Sequence, residues 1–299
     1  MPREEAARAI AQWRELVSQP YETIRQARAN VEEFFAQFPA PADVSVEHVN
    51  IGKASADWLS TPGANAGRAV LFLHGGAYVL GSALAYREMT SRIARAAAAR
   101  TLVLDYRLAP EHPFPAALED AVAAYNFILA QGIKRSNIAI VGDSAGGGLS
   151  LATLLSLRDT GVPLPACAVC ISPWIDLECT GGTMETKAAV DPLCTRESLL
   201  AEAALYLAGG NPRNPLASPL YADLKDLPPL LIQVGTEETL LDDAIRLDAH
   251  AKNARVTVTL EVYEDMPHVW HVFASYLPEA QQAIDQIGQF VRAHTEKSS

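Results

Sequence analysis

A chain of 299 residues that is 49% hydrophobic is long enough to bury one large core. Its 24 Lys and Arg against 35 Asp and Glu leave a net charge of −11, which lacks the positive field a phosphate backbone needs and excludes nucleic acid as a partner. No apolar run reaches transmembrane length and the acidic start Met1-Pro2-Arg3-Glu4-Glu5 leads into no signal core, so the sequence reads as a cytoplasmic protein without stable membrane insertion.

Residues 1–42 are expected to be helical. Ala6, Ile10, Trp13 and Val17 recur at helical spacing, and Val31, Phe34, Phe35 and Phe38 form a second apolar cluster before Pro39 and Pro41 stop it. The polar face carries acids as well as bases, which suits packing onto the same protein better than a membrane surface. A strand pair follows at 44–51 and 54–59, turned at Gly52. From there short apolar runs at 69–73, 101–105, 137–142, 166–172, 229–234 and 256–262 alternate with helical patterns near 86–99, 115–131, 145–158, 239–253 and 278–294. Such alternation predicts an α/β architecture, with a mostly parallel central sheet and helices on both faces. Residues 177–228 offer helix and loop but no strand, with Glu197–Ala208 the clearest helix. An insertion of that length at the strand ends reads as a lid. The chain therefore divides into N-terminal cap helices (1–42), a first part of the core (43–176), a cap insertion (177–228) and a second part of the core (229–299).

Three loops in this pattern carry chemistry. After the strand at 69–73 comes His74-Gly75-Gly76-Ala77, where glycines expose backbone N–H groups. A developing oxyanion could collect those from Gly75, Gly76 and Ala77, with Ala145 supplying another. His74 precedes the loop and reads as structural. Next, Ile138-Ala139-Ile140-Val141-Gly142-Asp143-Ser144-Ala145-Gly146-Gly147-Gly148 is G-x-S-x-G between an apolar strand and a helix, the context in which a serine on a sharp turn becomes a nucleophile. A phosphate loop is the rival reading, and it lacks the lysine and the wider glycine spacing. Asp143 reads as a brace for the turn. Cys167-x-x-Cys170 lies in a buried strand, where residues three apart face opposite sides, so the two thiols cannot share a metal or a disulfide.

The third loop pair lies near the end. A serine needs a base, and the base an orienting acid, in the chain order serine, acid, histidine. The acid must follow the strand that ends at Val234, where Glu237, Glu238, Asp242 and Asp243 compete. The two aspartates fall within the next helix and read as a solvated or capping face, while spacing does not separate Glu237 from Glu238. Past the last strand, Tyr263-Glu264-Asp265-Met266-Pro267-His268 presents His268 as the base, and His271 reads as a structural imidazole.

Together these stretches resemble the bacterial type of the hormone-sensitive-lipase family of α/β-hydrolase carboxylesterases, from about residue 65 to the C-terminus. The resemblance rests on His74-Gly75-Gly76-Ala77, on Asp105-Tyr106-Arg107-Leu108-Ala109-Pro110-Glu111-His112-Pro113-Phe114-Pro115-Ala116, and on Gly142-Asp143-Ser144-Ala145-Gly146-Gly147. Ser218-Pro219 and Leu227-Pro228-Pro229 look like the family's return from cap to sheet. The family's Asp-Pro-Leu-x-Asp falls on Glu238, Thr239, Leu240 and Asp242, so the resemblance implies Glu238 as the acid, a glutamate where the family usually has aspartate. It maps the oxyanion amides to Gly76, Ala77 and Ala145, with Ala77 in place of a third glycine. It also implies an α/β-hydrolase fold, a homodimer and a small-molecule ester as substrate; the serine mechanism needs no cofactor or metal, and an aromatic-rich, closed lid suits short- to medium-chain esters. A lactone hydrolase with the same triad and a non-catalytic ligand receptor are the other readings. The receptor reading is disfavoured because such proteins typically lose the histidine.

Overall fold

In the computed structural model, which describes residues 4–295, eight strands form one sheet in the order β1-β2-β4-β3-β5-β6-β7-β8. β1 (Ser45–Ile51), β2 (Ala54–Ser60) and β4 (Ala99–Asp105) pair antiparallel. The pairs among β3 (Asn65–Leu73), β4, β5 (Ile138–Asp143), β6 (Cys167–Ile171), β7 (Leu230–Glu237) and β8 (Val258–Pro267) are parallel. This is the mostly parallel α/β sheet expected from the alternation.

The central strands are apolar on both faces because both faces are covered. Val70 and Phe72 of β3, with Cys167 and Val169 of β6, enter the layer built by α3 (Arg87–Ala97) and α9 (Pro278–His294), where they meet Met89, Ile93 and Ile284. Leu71, Leu73, Ala168 and Cys170 point the other way, toward α4 (Ala116–Ala130), α5 (Ala145–Asp159) and α8 (Leu241–Asn253) and their Tyr125, Leu154 and Leu247. Cys167 and Cys170 thus lie on opposite sides of the sheet, and all four cysteines are free and buried. Burial pushes the Cys167 and Cys170 thiols up to about 12, which suits inert packing.

Several boundaries differ from the expectation: β3 begins at Asn65 rather than 69, and β7 runs to Glu237 rather than ending at 234. The helix expected near 86–99 ends at Ala97, Ala98 turns left-handed, and β4 already begins at Ala99. Alanine is the best helix former, so the run Ala96–Ala99 carries no local stop signal, and sheet pairing overrides propensity. The last strand runs on to Pro267 rather than ending at 262. Its register against β7 shifts, and Glu237 pairs with Pro267.

The N-terminal segment forms α1 (Glu4–Ser18) and α2 (Ile24–Phe35), and its first three residues lie outside the described range. Trp13 stacks on Phe34 at 5.1 Å and meets Phe273 edge-on at 5.0 Å, which fastens these helices to the end of the sheet that carries the C-termini of β5–β8. The 177–228 stretch holds α6 (Thr183–Thr186) and α7 (Arg196–Leu207) and no strand. Among the described residues, no helix is long and apolar enough to cross a membrane.

Candidate active site

Ser144 occupies the turn between β5 and α5 with φ 52° and ψ −120°, a strained backbone for a residue with a Cβ. The turn survives because it is over-determined. The Ser144 N–H donates to Ile171 O at 2.8 Å, and the Trp174 N–H donates to Ser144 O at 2.9 Å. A Cβ on Gly146 would sit 1.9 Å from Leu73 O, so only glycine lets α5 start against the end of β3. Gly146→Ala is expected to lower stability by about 3 kcal/mol. Urea unfolding measures it, and an unchanged midpoint would contradict the packing argument.

The His74–Ala77 loop arches beside the serine. Its backbone is left-handed at Gly76 (φ 102°), Ala77 (φ 53°) and Tyr78 (φ 64°), and a Cβ on Gly76 would fall 2.4 Å from Leu80 O. The Gly76 and Ala77 N–H groups donate to no acceptor among the described residues, and Ala145 opens α5, where the first amides have no intrahelical partner. Gly75 differs from the expectation: its N–H donates to Asp143 Oδ1 at 2.9 Å and is not available to a ligand. Asp143 also accepts from Tyr86 Oη at 3.0 Å, so it braces the oxyanion loop against the serine turn. Burial raises its carboxyl to about 7.

Strand register separates Glu238 from the other three acids. With Glu237 opposite Pro267, the next residues, Glu238 and His268, emerge side by side, and Glu238 Oε2 lies 2.7 Å from His268 Nδ1. Glu238 Oε1 accepts from Ser172 Oγ at 2.8 Å and from the Gly235 N–H at 2.7 Å, and the side chain is fully buried. Glu237 turns away to Lys187 Nζ at 3.2 Å. Asp242 accepts the Thr183 N–H at 3.1 Å, and Asp243 accepts those of Ile175 and Asp176 at 2.9 and 3.1 Å. Asp243 is therefore fully buried rather than solvated, and it holds the chain just before the 177–228 stretch.

The other two buried imidazoles are structural. His74 Nδ1 lies 2.7 Å from Gly75 O with the ring stacked on Tyr106, and His271 Nε2 lies 2.8 Å from Gln233 Oε1. Burial lowers them to about 4 and about 3, so both are neutral at physiological pH. His268 goes the other way. Burial opposes its charge, but the Cys194 sulfur against the ring and the Glu238 carboxylate outweigh that, and the imidazole holds its proton well above the ordinary range.

Ser144, His268, Gly76 and Ala77 share one cavity of about 360 Å³. Trp13, Val17 and Tyr21 of the N-terminal segment wall one side, and Leu193, Cys194 and Leu199 of the 177–228 stretch wall another. Among the described residues, no group of three or more His, Cys, Asp or Glu side chains could hold a metal ion.

This arrangement has relatives. A family model described as the alpha/beta hydrolase fold matches residues 70–272. An esterase from the bacterial hormone-sensitive lipase family superposes with a TM-score of 0.96 at 52% identity, over 98% of both chains. The chain belongs to the bacterial hormone-sensitive-lipase family of α/β-hydrolases. It is also similar to an acetyl-hydrolase of Streptomyces hygroscopicus, 49% identical over 255 residues, covering 85% of this chain and 84% of that one. A crystal structure of EstE5 soaked with p-nitrophenyl butyrate matches with a TM-score of 0.92 at 48% identity, over 97% of this chain and 98% of that one.

Several residues that support this α/β-hydrolase site left no signal in the sequence. Ser172, left-handed at φ 43°, donates to Glu238 and accepts the Val269 N–H at 3.3 Å, so it joins the acid loop to the histidine loop. Arg28 of α2 donates to Val79 O and Ala109 O, both at 2.9 Å, and pairs with Glu111 at 2.7 Å. It clamps the N-terminal helices to the oxyanion loop. Trp13 Nε1 donates to His268 O at 2.9 Å, so the same helices also hold the histidine loop. Asp191 accepts the N–H groups of Leu193 and Cys194, both at 2.9 Å, and of Thr239 at 2.7 Å, tying the cap wall to the residue after Glu238. A serine or an aspartate in a loop, or a single arginine on a helix, has no periodicity to betray it. The Asp105–Ala116 stretch is the exception, since it stood out as one of the motifs that carry the resemblance. Tyr106 Oη donates to His74 O at 2.8 Å, and the Ala109 N–H donates to Tyr78 O at 2.9 Å.

Proposed function

We propose that Ser144 is the nucleophile of this carboxylesterase, with His268 as its base and Glu238 as the acid that orients and charges the imidazole. The observation that carries the reading is the 2.7 Å contact between Glu238 and His268 Nδ1, in a cavity that also holds Ser144 on a strained turn. With Nδ1 engaged, Nε2 is the nitrogen left for the serine proton. The Ser144 hydroxyl has no hydrogen-bond partner of its own among the described residues, and it takes His268 as acceptor when a substrate seats.

Ser144 Oγ attacks the ester carbonyl carbon and its proton passes to His268. The carbonyl π electrons move to oxygen, where the N–H groups of Gly76, Ala77 and Ala145 receive the charge. Collapse breaks the carbon–oxygen ester bond, and the departing alkoxide takes the proton from His268. The acyl-enzyme then meets water, which gives a proton to His268 as it attacks, and Ser144 leaves with that proton as the acid is released. Glu238 stabilises the imidazolium through its contact with Nδ1. Short- and medium-chain esters suit a cavity at the small end of ligand-site volumes. The 1–42 helices and the 177–228 insertion act as the two walls of the cap. The four reduced, buried cysteines suit a cytoplasmic location. The unpaired edge of β8, with Val262 exposed, supports a homodimer.

The test is covalent. A fluorophosphonate is expected to modify one residue per chain, found by peptide mass spectrometry at Ser144, with loss of p-nitrophenyl butyrate hydrolysis. Modification elsewhere, or none, would sink the assignment. The pH profile adds a second check. His268 must be neutral to accept the serine proton, so kcat/KM rises with pH through its pKa, and that limb is expected above the ~6.5 of a free imidazole. Glu238→Gln removes the carboxylate that holds the proton, so the limb should move to lower pH. An identical limb in the variant would contradict the pairing.

A further inference from the structure

We propose that Glu202 is a specificity-determining residue: its carboxylate, set in the mainly apolar cavity wall, selects esters that carry a cationic group in the alcohol or acyl part. The inference rests on the reading of Ser144 as nucleophile and adds a substrate class to it.

α7 lays Ser198, Leu199 and Glu202 along one side of the cavity, at helical spacings of three and four. The helix start is fixed by a capping box, Thr195 accepting the Ser198 N–H at 3.1 Å and Ser198 Oγ accepting the Thr195 N–H at 3.2 Å. The Glu202 side chain is therefore presented from a rigid element. Glu202 shares that cavity lining with Cys194 and with His268, the proposed base.

Glu202 has no hydrogen-bond or ion-pair partner among the described residues, and no Lys or Arg lines the cavity. The other acid in the lining, Asp143, is filled by the Gly75 N–H and Tyr86 Oη. Glu202 is half-buried, and burial raises its carboxyl to about 7. A poorly solvated carboxylate without a counter-charge is costly, and a ligand that brings a positive charge within reach removes that cost. A second carboxylate on the substrate would meet repulsion instead.

Two isosteric pairs separate charge from shape. Butyrylcholine against 3,3-dimethylbutyl butyrate places the cation on the alcohol side. Protonated ethyl 4-(dimethylamino)butyrate against ethyl 5-methylhexanoate places it on the acyl side. At about pH 8, where Glu202 is ionised, the wild-type protein is expected to favour the cationic member of at least one pair by about tenfold in kcat/KM. Glu202→Gln should bring that ratio near unity, and because the two members of a pair are compared within one variant, any general change in turnover cancels. Glu202→Met, checked by its melting temperature, repeats the test without the amide's hydrogen bonds. A wild-type protein indifferent to charge in both pairs, or a preference that persists in both variants, overturns the proposal. Failure of the nucleophile reading would look different: Ser144→Ala would still hydrolyse p-nitrophenyl butyrate.

Discussion

Ser144→Ala is expected to lower kcat for p-nitrophenyl butyrate by about a million-fold, with the fold intact. Loss of the nucleophile removes the acyl-enzyme route altogether, and what remains is water attack assisted by binding and the oxyanion amides. The fold should tolerate the change for a specific reason. The turn is held by backbone hydrogen bonds to Ile171 and from Trp174, which alanine keeps, while the hydroxyl makes no hydrogen bond among the described residues. Alanine also inherits the same positive φ at no added steric cost. Activity assays paired with circular dichroism and thermal unfolding decide the matter. A variant that keeps more than a small fraction of wild-type turnover, with its contaminants excluded by fluorophosphonate titration, would refute the mechanism.

Glu238→Ala is the second large effect, expected to cost about ten-thousand-fold in kcat. The glutamate sets which nitrogen of His268 carries the proton and stabilises the imidazolium that forms when Ser144 attacks. Its removal also leaves the Gly235 N–H and Ser172 Oγ without their buried acceptor. Glu237→Ala and Asp242→Ala should stay within about fivefold of wild type, because each makes partly exposed contacts outside the His268 pair. Steady-state kinetics on the three variants gives the order directly. A larger loss at Glu237 or Asp242 than at Glu238 would reverse the assignment.

Much of this was readable from residue order. Alternating strand and helix patterns follow from local periodicity, and both survive in the structure because the sheet is buried on both faces. The serine turn is a local motif too, since Gly142 and Gly146 mark where strand and helix must approach closely. His268 was placed by a simple rule, the last loop after the last strand. Errors arose where local signals were silent or shared. The alanine run 96–99 is equally at home in helix and strand. Gly75 looks as open as Gly76, and only Asp143, 68 positions later, takes up its amide.

What the sequence determined by itself was the set of elements, the three loops at the strand ends and the residue types able to do the chemistry, because these are written in periodicity and short motifs. What only the tertiary structure decided was which of those groups meet. A one-residue choice between Glu237 and Glu238 depends on the shifted register of β7 against β8, and in a strand each step of one residue turns a side chain to the other face. Likewise, Arg28, Ser172 and Asp191 brace the site across distances in sequence that no local pattern spans, and Glu202 gains its meaning from a cavity assembled by segments nearly 190 residues apart, Trp13 of α1 and Glu202 of α7.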